Sequence, residues 1–166
     1  TIWCDASEAR QAALLSALRA ACGRLPNVQD PAAVNDWAWA DFEFAFCLAS
    51  ATAEAIAGTS ADAGAQPPPE PLPQLLAALP ALPLLGAPRP WTSLLMGGAA
   101  DLVTALDPWI NANLCSPTTS AGRQLIAFGF RLAAGAPADG RGVEALAVVI
   151  SNLAPQLADD DSMLEE

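Results

Sequence analysis

Residues 30–58, DPAAVNDWAWADFEFAFCLASATAEAIAG, decide how this chain is read. Two periodicities compete there. Trp37-Ala-Trp39 and Phe42-Glu-Phe44-Ala-Phe46 alternate as a strand does. At about 100° per residue, however, Asp36, Glu43, Ser50 and Glu54 fall within roughly 40° of one another on a helical wheel. One polar stripe beside a run of aromatics is the pattern of a central, mostly buried helix. The punctuation agrees: Asp30-Pro31 is an N-cap with proline at the first helical position, and Gly58 is a stop.

The same conflict recurs at Ile126, Phe128 and Phe130. It resolves the same way, because Ser116-Pro117 opens a helix that Gly135 can close. Further out, Asp5 with Glu8 resembles a capping box, and Leu14, Leu15, Leu18 and Cys22 repeat at helical spacing up to a left-handed stop at Gly23. Leu95, Leu102, Leu106 and Trp109 define another amphipathic helix, and Asp107-Pro108 opens a short turn. Leu146, Val149, Ile150, Leu153 and Leu157 mark a final helix with a bend at Pro155. The expected fold is mainly α: one helical domain over residues 1–166 with about five or six helices. The alternative is α+β, with strands near 37–47 and 125–132.

Residues 59–73 read as a Pro/Ala-rich linker, its second half extended. Leu72 to Pro83 is interrupted by Pro80, so only short helical turns fit. Residues 159–166 read as an acidic flexible tail.

The missing residue types narrow the chemistry. The chain has no Lys, His or Tyr, and its net charge is −11. A GC-rich coding bias would produce the same absences. Whatever their origin, a Ser-His-Asp triad, a Cys-His pair, a Ser-Lys dyad and a His-containing zinc site all lack a member. There is no GxSxG, and Gly97-Gly98 lacks the Lys and flanking glycines of a phosphate loop. The tail lacks the order of a calcium loop, and no N-glycosylation sequon occurs. The expectation is a protein that is not an enzyme and takes no cofactor or metal. Its acidity disfavours nucleic-acid partners. The longest uncharged run, Pro71 to Pro88, is broken by prolines and cannot span a membrane, and no signal peptide is legible.

Four cysteines, Cys4, Cys22, Cys47 and Cys115, are candidate disulfide partners, which would fit an oxidising compartment. Cys4 and Cys22 on one helix would sit roughly 27 Å apart at ~1.5 Å per residue, so each could pair only with Cys47 or Cys115. Asp41 projects toward the aromatic side of its helix and is a candidate buried acid. The blander reading pairs it with an arginine such as Arg123 or Arg131. Asp101 and Asp107, six residues apart, fall on opposite sides of a continuous helix, and Asp107 is better read as the cap before Pro108. Leu72-Pro73-Gln74-Leu75-Leu76 has the LxxLL form, and Pro68 with Pro71 gives a PxxP; both are chance-level docking motifs in so Leu- and Pro-rich a chain.

Hydrophobic residues make up 53% of the chain and charged residues only 15%. That surplus of apolar side chain points to protein partners, self or other. The functional expectation is a structural or assembly subunit, self-associating or part of a larger particle. The alternative is a helical carrier of an apolar small molecule such as a lipid, pigment or terpenoid. Trp37, Trp39, Phe42, Phe46, Phe128 and Phe130 would line the pocket or interface.

Overall fold

A computed structural model describes residues 2–25, 36–58, 67–82, 87, 91–110, 120–135 and 139–158, with the side chains of 2–6, 36, 37 and 154–158 outside that description. Six α-helices carry the described chain: α1 (Ile2–Cys22), α2 (Asp36–Ala57), α3 (Leu72–Ala78), α4 (Trp91–Ala105), α5 (Ser120–Gly135) and α6 (Arg141–Ala158). Two 3-10 turns, Leu79–Ala81 and Asp107–Trp109, follow α3 and α4. The described residues contain no strand. Both ambiguous segments, 37–47 and 125–132, are therefore helical.

The buried face of α2 explains why. Trp39, Phe42, Phe46, Ala49 and Ala53 recur at three- and four-residue steps and are all buried. Alternation along 42–46 fails at Phe44, which is exposed, and at Ala45, which is buried. Ser50 departs from the expected polar stripe. It is buried, and its hydroxyl donates to Phe46 O at 3.0 Å, which satisfies it inside the bundle.

Helix directions follow from the pairs that meet. Gln11 Nε2 donates to Ala55 O, and Arg24 approaches Asp41, so α1 and α2 run antiparallel. Gly129 meets Leu146 and Val149, positions equally placed about the short connection, which makes α5 and α6 an antiparallel hairpin. Between the hairpins lies α4, packed on α2, α5 and α6. Phe46 faces Gly98, and further along, Glu54 shares a groove with Asp101 and Thr104. Sequence numbers thus rise together, and α2 and α4 are parallel. Gly97 meets Arg141 and Asp107 meets Asn152, so α6 is parallel to α4 as well.

The central position of α4 is written in its composition. Leu95 to Ala100, Leu102 and Val103 are all buried, an apolar surface nearly all round. Gly98 lets α2 approach until a Cβ there would stand 3.4 Å from Phe46 Cβ. Short α3 and its 3-10 turn bury Leu72, Leu75, Leu76 and Leu79, and the turn packs on α5. Pro73 fits because it lies in the first turn of α3, where its missing N–H has no partner to lose.

Several helix ends differ from their sequence signals. α1 begins at Ile2, so Asp5 lies inside its first turns and is not its cap. Gly23 and Gly58 end α1 and α2, each donating to the carbonyl four residues back, but neither adopts positive φ. Among the described residues positive φ belongs to Gly140, at 88°, just before α6. The turn at Asp107 has no side-chain cap. α6 continues through Pro155 to Ala158. The Asp30-Pro31 and Ser116-Pro117 starts lie outside the described residues, as do 59–66 of the expected linker and the 159–166 tail.

Candidate functional site

The expected aromatic wall is divided between core and surface. Trp39, Phe42 and Phe46 stack along α2 with ring centroids 6.3 Å apart and tilted planes, and all three are buried. Phe128 is buried on α5, with the Arg131 guanidinium 5.4 Å from its ring centroid. Phe130 points the other way and is 57% exposed, because two helical residues lie about 200° apart on the wheel. The six residues therefore do not share one face. The side chain of Trp37 lies outside the described residues.

Asp41 is half-exposed and pairs with Arg24 at 3.6 Å, not with Arg123 or Arg131. The antiparallel α1–α2 hairpin brings the end of α1 to this point. Arg24 also lies 5.9 Å from the Phe44 ring centroid, over an exposed aromatic face. Asp41 is thus a surface ion-pair partner rather than a desolvated acid.

Cys22 and Cys47 are free thiols. Both pairings open to the four cysteines would need them, so neither pairing is formed. Cys4 and Cys22 do share α1, as expected; the Cys4 side chain and Cys115 lie outside the described residues. Burial raises the pKa of the Cys22 thiol. Cys47 is exposed, yet partial desolvation raises its pKa as well, helped by its hydrogen bond to Glu43 Oε1 at 3.4 Å and by the negative charge of Glu43 and Asp101. Neither thiol is activated as a nucleophile.

The docking motifs are spent internally. The LxxLL segment is helical despite Pro73, yet Leu72, Leu75 and Leu76 all face the core. Pro68 and Pro71 are buried too.

What the sequence did not reveal is an acidic groove of about 460 Å³. It lies between the C-terminal ends of α2 and α4 and the first turn of α6. Glu54, Asp101, Asp107 and Glu144 line it together with Thr104 and Pro108. Asp101 and Asp107 share it because α4 ends at Ala105, so the opposite sides of a continuous helix never arise. The Asp107-Pro108 turn signal was the available clue. Two of the carboxylates are engaged. Arg141 Nη1 donates to Asp101 Oδ2 at 2.9 Å, and Asn152 Nδ2 donates to Asp107 Oδ1 at 2.7 Å.

Arg141 ties this region together. Its Nε donates to Asp139 Oδ2 at 2.8 Å, and its backbone N–H donates to Asp139 Oδ1 at 3.2 Å. The backbone N–H of Arg141, and then its guanidinium, hold the Asp139 carboxyl below the usual range. Asp139, followed by Asp101, keeps the guanidinium more firmly protonated still. The arrangement fixes α6 against α4. Among the described residues no group of three or more His, Cys, Asp or Glu side chains is placed to hold a metal ion. No described helix is long and apolar enough to cross a membrane.

Comparison with protein-family models, with curated proteins and with solved structures finds no match.

Proposed function

We propose that this chain is a non-enzymatic interaction subunit, assembling with copies of itself or within a larger particle. The observation that carries the reading is a set of large apolar side chains left in solvent by an otherwise filled bundle. Phe44, Leu94, Phe130, Val143 and Ile150 are exposed on α2, α4, α5 and α6, with Val143 at 60%. Each 100 Å² of apolar surface left in water forgoes about 2.5 kcal/mol, so covering such side chains favours association. The non-enzymatic part rests on the absent His, Lys and Tyr, and on carboxylates already engaged by Arg141 and Asn152.

A carrier for an apolar small molecule has less to rest on. Trp39, Phe42, Phe46 and Phe128 pack against neighbours rather than around a void. The apolar pocket between α3 and α5 measures about 80 Å³, against roughly 300–1,000 Å³ for ordinary ligand sites.

Light scattering with native mass spectrometry tests the proposal. A defined assembly is expected, weakened by Phe130→Ser or Val143→Ser while the helical content of the chain is retained. A ligand-free monomer at every concentration, with no partner retained on purification, overturns it. A monomer carrying a bound apolar molecule would favour the carrier.

A further inference from the structure

We draw no further inference here: the strongest candidate, the acidic groove between the C-terminal ends of α2 and α4 and the first turn of α6, is a cluster of carboxylates with no second feature that points to a ligand, and nothing in the structure shows what would occupy it.

Discussion

The guanidinium of Arg141 occupies the space that a side chain on Gly97 would fill. A Cβ built on Gly97 would stand 2.7 Å from Arg141 Nη2 and 2.9 Å from its Cζ. The glycine and the arginine are therefore one unit, although they sit on different helices. Gly97→Ala gains about 1 kcal/mol of helix propensity but pushes the guanidinium off Asp101. The two effects nearly cancel, and the single variant is expected within about 1 kcal/mol of the parent. In an Arg141→Ala background the obstruction is gone, and Gly97→Ala is expected to stabilise by about 0.5–1 kcal/mol. Urea denaturation of the four proteins reads the difference. Additive effects at the two sites would mean that they do not interact.

Gly98 gives the opposite contrast. Its nearest neighbour is Phe46, and a Cβ would make ordinary contact at 3.4–3.5 Å. Gly98→Ala is expected to be tolerated or stabilising by up to about 1 kcal/mol. Gly98→Val adds two methyls against a fully buried ring and is expected to cost about 1–3 kcal/mol. Thermal or denaturant unfolding checks both. Equal destabilisation by Ala and Val would mean that the α2–α4 contact is tighter than described.

The Asp139 carboxyl is held below its ordinary pKa by the Arg141 backbone N–H and guanidinium. The unfolded chain thus binds this proton more readily than the folded one. The stabilisation is fully present above the ordinary carboxylate pKa, near pH 4, and is lost as pH falls through the folded value. Asp139→Asn is expected to lower stability by a constant amount across the neutral range and to flatten the acid limb, so that the two curves converge at low pH. Carboxyl-resolved NMR titration reads the same property directly, and an unshifted Asp139 would contradict the contact.

Partial desolvation and the neighbouring Glu43 raise the Cys47 pKa, and burial alone raises that of Cys22. At pH 8 both thiols are expected to alkylate more slowly in the folded chain than after denaturation, because thiolate is the reacting form. Glu43→Gln is expected to quicken Cys47 and leave Cys22 unchanged. Peptide-resolved mass spectrometry separates the four cysteines. Acceleration at both sites would point to general loosening instead.

The helices were legible where periodicity and end signals agreed. Gly58 and Gly135 fall at the ends of α2 and α5, and the aromatics at 39, 42 and 46 face inward as their spacing requires. Partner choice was not legible. A wheel tells which way Asp41 leans, but not that the hairpin brings Arg24 to it rather than Arg123. Arg141 and Asp101 are 40 residues apart and meet only because α4 and α6 run parallel. Ser50 was read as solvent-facing because its hydroxyl is polar, yet the Phe46 carbonyl lets it be buried at the rim of the apolar face. Phe128 and Phe130 looked alike as aromatics two apart, and a helix necessarily separates them.

The parallel run of α2 and α4 also bears on the order of folding. α1–α2 and α5–α6 can each close through a short connection of their own. Joining α2 to α4 requires residues 58–91 to return along most of a 22-residue helix, a path of about 30 Å at ~1.5 Å per residue. That closure carries an entropy cost that the two hairpins avoid. Docking of α4 against α2 is therefore expected to come later than closure of the two hairpins. Residues 58–91 could reach roughly 110 Å at ~3.3 Å per residue, so modest shortening is expected to leave the topology accessible, and lengthening to change the folding rate more than the stability of the finished bundle.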